Sequence, residues 1–198
     1  MTANRWDDHY ARRARDEKWL ARSVYKLQEI DKKFRLIHKG DRVLDLGCYP
    51  GSWSQYCLRI AGPTGDVAGI DLEPPEKIIP FPNFTFIRGD VFKMDPAWIK
   101  GEIGQRDTVI SDMAPKTTGV KTTDAARSIA LAEKALEIAL AVLKAKGRLV
   151  CKVLEGEDFK SFKDEVGIHF RKTGLLRPKA TRKRSSEVYI IGMDFPGE

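Results

Sequence analysis

R-V-L-D-L-G-C-Y-P-G-S-W-S-Q, residues 42–55, passes from a short apolar run into a turn carrying Gly47 and Gly51, then into a segment of helical character. A buried strand, a glycine turn and a helix in that order are the first half of a βαβ unit. Four further runs of the same kind follow, each bounded by Gly, Pro or Asp: 66–71, 84–90, 107–112 and 147–153. Between the fourth and fifth, residues 122–146 place Ile129, Ala132, Leu136, Ala139, Leu140 and Leu143 on one side of a long helix, with Gly147 read as its C-cap. Helices are also expected over 54–60 and 158–170, and an N-terminal helix over the apolar period Leu20, Val24, Leu27, Ile30, Phe34 and Ile37.

Alternation of strand and helix predicts an α/β fold with a doubly wound, mainly parallel sheet. Two more strands, about 173–176 and 186–192, bring the number to seven. Only about ten residues join them, too few for a crossover with its own helix, so the last strand is expected to be antiparallel. The 198 residues suit one domain, residues 1–198, with a basic N-terminal helical extension over about 1–39.

Composition narrows the class further. Hydrophobic residues at 42% and charged residues at 32% are globular proportions, and no run approaches the length of a membrane span or of a signal peptide. A cytoplasmic, monomeric protein without a membrane partner is expected. Cys48, Cys57 and Cys151 stand in no metal-ligand spacing and His9, His38 and His169 are scattered, so reduced thiols and no metal are expected.

The net charge of +7 is uneven. Residues 1–39 carry eleven Lys or Arg against six acids, and residues 171–184 carry seven basic groups and no acid, leaving the rest of the chain acidic. Two basic segments favour a polyanion, with nucleic acid the leading partner. Arg12, Arg13, Lys179, Arg182, Lys183 and Arg184 are the candidate contacts. Pro178 and the lack of an apolar face argue against a membrane-binding helix in the second segment.

In open α/β sheets the ligand lies beyond the carboxyl ends of the strands. The turn at 47–51 lacks the G-x-G-x-x-G spacing of a pyrophosphate site, which disfavours a nicotinamide oxidoreductase. Asp71 ends the second strand, where a carboxylate accepts from ribose hydroxyls. Asp90 follows the third, where it can accept from an exocyclic amine. A ligand with adenosine but no diphosphate matches S-adenosylmethionine better than NAD or ATP.

Asp112 ends the fourth strand and Lys152 the fifth, so both face one edge of the sheet, and an antiparallel last strand brings Glu187 to the same rim. Lys26 borders the apolar stripe of the N-terminal helix, where its stem packs and its amine reaches inward. Singly, these residues read equally well as a cap, a snorkelling lysine and a solvent pair. A lysine after L-V-C in a buried strand is harder to leave without a partner, because an unpaired buried ammonium is costly.

Y-K-L-Q-E-I-D-K-K-F, D-R-V-L-D-L-G-C-Y-P-G-S-W-S-Q, G-I-D-L-E-P, G-D-V-F, S-D-M-A-P, A-L-A-V-L-K-A-K-G-R-L-V-C-K-V-L-E-G-E and R-S-S-E-V-Y-I-I-G, taken in order, resemble the RrmJ/FtsJ family of RNA 2′-O-methyltransferases from about Tyr10 to the C-terminus. The resemblance implies a Rossmann-like methyltransferase fold and S-adenosylmethionine as cofactor. It also implies a catalytic tetrad at Lys26, Asp112, Lys152 and Glu187, with cofactor contacts at Gly51, Trp53, Asp71, Asp90 and Asp112. The chain departs from the family at Cys48-Tyr49, where a small pair is usual, and at Lys116–Gly119, where Asn-Met-Ser-Gly is usual. Large-subunit ribosomal RNA, free or in the subunit, is the implied substrate. A tRNA anticodon loop is the alternative substrate, and a noncatalytic RNA-binding ribosome assembly factor the alternative class. For Lys152 two roles stay open, a neutral amine acting as base or an ammonium orienting the attacking oxygen.

Overall fold

The computed structural model describes residues 5–77, 79–182 and 184–197, with residues 5–8 described by backbone alone. Seven strands form one sheet: β1 (Arg42–Leu46), β2 (Asp66–Asp71), β3 (Phe84–Arg88), β4 (Arg106–Ser111), β5 (Leu143–Leu154), β6 (Lys172–Leu176) and β7 (Glu187–Met193). Their order is β3-β2-β1-β4-β5-β7-β6. The first five are parallel, and β7 runs antiparallel to both β5 and β6. This is the doubly wound, mainly parallel seven-stranded sheet with an antiparallel last strand that the sequence predicts.

Among the described residues six α-helices accompany it: α1 (Arg5–Asp16), α2 (Val24–Phe34), α3 (Ser52–Ala61), α4 (Pro96–Ile103), α5 (Lys121–Val142) and α6 (Phe159–His169). Ile99, Ile129, Leu136, Phe162 and Val166 from α4, α5 and α6 pack with Leu44, Val109 and Leu149 on one face of the sheet. Leu27 and Ile30 of α2 and Trp53 and Leu58 of α3 pack with Val43, Val150 and Ile191 on the other. Strands covered on both faces account for near-continuous apolar runs rather than alternating ones.

Three expectations are corrected. The long helix ends at Val142 rather than Lys146. Leu143 turns to extended backbone (φ −69°, ψ 141°) and enters β5, packing in the core while Lys144 Nζ reaches Asp107 at 3.0 Å; Gly147 lies inside the strand and caps nothing. The helix expected over the period Leu20 to Ile37 is α2, shorter at Val24–Phe34, and a separate helix, α1, precedes it with a break between the two. Around the break, Gln55 of α3 accepts from Leu20 N at 3.2 Å and donates to Lys18 O at 3.0 Å, so these backbone groups are satisfied without a helix. Helix α4 is additional; Asp95 caps it by accepting from Ala97 N at 2.9 Å and Pro96 fills its first turn.

Candidate active site

The β-register assembles the site. On antiparallel strands, residues directly opposite share a face, and residues two apart on one strand also share one. Lys152 of β5 stands opposite Tyr189 of β7, and Leu154 stands opposite Glu187. Glu187 and Tyr189 therefore project from the same face of β7. Asp112 follows the last residue of β4, Ser111, which pairs with Cys151, so its side chain meets Lys152 across neighbouring strands.

Lys152 Nζ lies 2.9 Å from Asp112 Oδ1 and also donates to the Asp112 main-chain carbonyl. Lys26 Nζ, from α2, lies 2.7 Å and 2.9 Å from the two carboxylate oxygens of Glu187. The Tyr189 hydroxyl joins the pairs, donating to Asp112 Oδ1 at 2.7 Å and lying 3.1 Å from Glu187 Oε1. Burial, reinforced by both carboxylates, raises the Tyr189 hydroxyl well above the ordinary phenol value, so it stays a donor. Burial would also raise the Asp112 carboxyl, but Lys152, Lys26 and the Tyr189 hydrogen bond together outweigh it and hold the group below its usual value. Two amines and two carboxylates thus stand as a charge-balanced cluster on one rim of the sheet.

Beside it opens a cavity of about 620 Å³ at the carboxyl ends of the strands. Asp71, Asp90 and Asp112 line it together with Gly47, Tyr49, Ile70, Phe92 and Met113. Asp112 belongs to both the cavity wall and the ion-pair cluster. At Gly47 (φ +76°) a β-carbon would stand 2.6 Å from the Met113 side chain, so the turn is shaped to pass close to the wall. Asp71 accepts from Tyr49 N at 2.9 Å and Asp90 from Phe92 N at 3.1 Å, bonds that fix both carboxylates at the cavity edge. A mainly apolar hollow edged by three acids suits a nucleoside carrying hydroxyl, amino and sulfonium groups, and it holds no glycine cradle for a diphosphate. S-adenosylmethionine fits this donor set.

Gly51 and Trp53 are not among the lining residues. Gly51 (φ +112°) caps α3 beneath Leu20, whose methyl a β-carbon would meet at 2.8 Å, and the buried Trp53 donates from Nε1 to Ser23 O at 2.9 Å. Beneath the turn, Asp45 is fully buried with Oδ2 accepting from the Ser54 hydroxyl at 2.6 Å and Oδ1 without a hydrogen-bond partner. Burial, then the nearby Asp112 and Asp71 carboxylates, push Asp45 up to about 7. Burial likewise pushes the Cys151 thiol to about 12, so it is inert. Among the described residues, no three or more His, Cys, Asp or Glu are grouped to hold a metal.

The two basic segments, distant in sequence, meet in space. Ala14 of α1 and Val24 and Tyr25 of α2 pack around Ala180 of the β6–β7 loop, and Arg22 donates to Ala180 O at 2.8 Å. Arg12, Arg13, Lys179, Arg182 and Arg184 are exposed on the joined face; Lys183 lies outside the described residues. Arg13 is partly engaged, ion-paired with Glu17 at 2.6 Å and stacked 4.5 Å above the Tyr25 ring. Tyr189 is the site residue that sequence reasoning missed. Its signal was a position two residues after Glu187 on the same strand face.

Comparison with known proteins agrees with this geometry. The family model for FtsJ-like methyltransferase matches residues 19–195. A relative named Ribosomal RNA large subunit methyltransferase E, from Desulforapulum autotrophicum, is 49% identical over 191 residues, covering 96% of this chain and 93% of that protein. A protein of the same name from Treponema denticola is 41% identical and aligns over the full length of both. The crystal structure of a ribosomal RNA methyltransferase from Plasmodium falciparum superposes with a TM-score of 0.78 at 26% identity, covering 91% of this chain and 100% of that one. No helix among the described residues is long and apolar enough to cross a membrane. With its strand-end cavity, its adjoining ion-pair cluster and a match spanning nearly all its length, this chain belongs to the FtsJ-like methyltransferase family.

Proposed function

We propose that the chain, as one catalytic domain with a basic N-terminal extension, transfers a methyl group from S-adenosylmethionine to a ribose 2′-hydroxyl of large-subunit ribosomal RNA. One observation carries this reading: Asp112 is shared by the nucleoside-sized cavity and the Lys-Asp-Lys-Glu cluster, which puts a methyl donor beside groups able to act on a weakly acidic hydroxyl. The names of the relatives favour ribosomal RNA, and the joined basic face supplies the surface a polyanion needs. Action in the cytoplasm is part of the same proposal.

Asp71, Asp90 and Asp112 would hold the donor. When bound, it supplies an electrophilic methyl whose sulfonium leaves as a neutral thioether, so no anion has to be stabilised on departure. The protein's part is alignment and activation of the attacking oxygen. Lys152 acts on the 2′-hydroxyl: Asp112 occupies two directions around its nitrogen, through carboxylate and carbonyl, which leaves a third for the substrate oxygen. Lys26 and Glu187, coupled through Tyr189, fix Asp112 in turn. The hydroxyl proton passes to Lys152 where its amine is neutral, and to solvent where an ammonium only orients the oxygen.

The test is methyl transfer from labelled S-adenosylmethionine to purified large ribosomal subunits and, separately, to bulk tRNA, followed by nucleoside analysis. A ribose-methylated nucleoside from the subunit supports the reading. Label confined to tRNA, or to a base, overturns it.

A further inference from the structure

The loop that displays the basic residues is tied to the ion-pair cluster through one hydroxyl. Thr181 Oγ1 donates to Glu187 Oε1 at 3.2 Å, the same oxygen that Lys26 and Tyr189 approach. Thr181 is also the end of a tight turn, its N–H donating to Pro178 O at 2.9 Å. The turn is anchored to the N-terminal helices at its other residues. Lys179 N donates to Glu29 Oε2 at 2.8 Å, and Ala180 is buried with its carbonyl held by Arg22. After Thr181 the chain runs through the exposed Arg182 and Arg184, and Ser185 Oγ then accepts from Glu187 N at 3.2 Å. Among the described residues, one short strap therefore carries the exposed cations Lys179, Arg182 and Arg184, and it contacts both the side chain and the backbone of Glu187.

We propose that Thr181 is a positioning residue which passes engagement of the RNA backbone on the basic strap to the Glu187–Lys26 pair, so that the cluster is set for turnover when the strap is held by phosphates. The inference rests on the proposed function. A phosphate gripped by the cations on either side of Thr181 restricts the strap, and the hydroxyl, fixed to the same backbone, restricts Glu187. With Glu187 fixed, the Lys26 amine and the Tyr189 hydroxyl that share its Oε1 keep their places, and Tyr189 carries the restraint to Asp112. Thr181 touches no reacting atom in this scheme.

Thr181→Val replaces the hydroxyl with a methyl at nearly constant shape, and Thr181→Ser returns the hydroxyl. With large ribosomal subunits as substrate, Thr181→Val lowers kcat about tenfold, the worth of a hydrogen bond to a charged group, while KM for the subunit stays near wild type. Thr181→Ser recovers most of kcat. A merely structural role would raise KM as the cations lose their places. The inference is overturned if Thr181→Val turns over like wild type, if its loss lies in KM, or if Thr181→Ser is as impaired as Thr181→Val. A double-mutant cycle of Thr181→Val with Glu187→Gln, read by denaturant unfolding, is independent of activity: a coupling of about twofold or more in the unfolding equilibrium supports the contact, and additivity overturns it. Wild-type protein that methylates no ribose counts against the proposed function alone, and the cycle still decides the contact.

Discussion

The Tyr189 hydroxyl stands 2.7 Å from Asp112 Oδ1, a buried donor placed to keep two carboxylates of neighbouring ion pairs from repelling one another. Tyr189→Phe removes that proton and leaves the ring, which packs against Trp53 at 5.7 Å between centroids. The expected result is a folded protein whose kcat falls about tenfold, the cost of one hydrogen bond to a charged group. Affinity for S-adenosylmethionine, measured by calorimetry, should stay near wild type. Unchanged kcat would show that the bridge has no part in turnover.

Lys152→Ala should lower kcat on the order of 10²–10⁴-fold, the usual contribution of a positioned acid or base, without weakening cofactor binding. Lys152→Arg separates the two roles open to this residue. A guanidinium cannot surrender its proton, so retained activity in Lys152→Arg would favour an orienting cation, and loss equal to Lys152→Ala would favour proton transfer. Single-turnover kinetics with saturating RNA provides the comparison.

Much of this constellation was legible in the sequence because strand ends are. Asp71, Asp112, Lys152 and Glu187 sit where apolar runs stop or start; the parallel strands send the first three to one rim, and the antiparallel β7 begins there with Glu187. Tyr189 was harder to read, because its spacing of two from Glu187 is the one signal it carries and a tyrosine in V-Y-I-I reads as core until the register sets it opposite Lys152. The early end of α5 was hidden for a related reason. Lys144 and Ala145 are good helix formers, and only the tertiary pull of Asp107 and of the apolar layer around Leu143 converts them to strand. The meeting of the two basic segments depends on Ala180 joining the cluster of Ala14, Val24 and Tyr25 and on Arg22 and Glu29 bonding to the loop backbone, contacts that follow no sequence pattern.

Asp71 and Asp90 are expected to set cofactor affinity. Asp71→Asn keeps an oxygen for Tyr49 N but loses the charge, and should weaken S-adenosylmethionine binding about tenfold in calorimetry. Asp90→Asn keeps an acceptor for Phe92 N and should weaken binding by a similar factor. Full affinity in both variants would move the donor out of this cavity.

The basic face should report itself through salt. Replacing Arg182 and Arg184 with Gln is expected to weaken RNA binding across sequences and to flatten the plot of log affinity against log salt by about 1 for each phosphate no longer neutralised. Arg13→Gln should flatten the slope by less than about 1, because its guanidinium is already shared by Glu17 and the Tyr25 ring. Anisotropy titrations of labelled RNA at several salt concentrations give the slopes. Equal slopes in wild type and the Arg182/Arg184 variant would place RNA elsewhere.

Asp45 ties stability to pH. Burial raises its folded-state value to about 7 against 3.8 for the free group, so the folded chain holds a proton there that the unfolded chain gives up. That contribution is complete below about pH 4 and is lost as pH rises through about 7. Asp45→Asn keeps an acceptor for the Ser54 hydroxyl and removes the titration. Its absolute stability can differ from wild type, since its amide occupies the side that has no partner. The informative quantity is the pH trend. Between pH 5 and pH 8 the unfolding midpoint of wild type should fall relative to that of Asp45→Asn, by several degrees, as the buried carboxyl is forced to ionise. Parallel curves for the two proteins would mean that Asp45 keeps an ordinary carboxylate value beneath the turn.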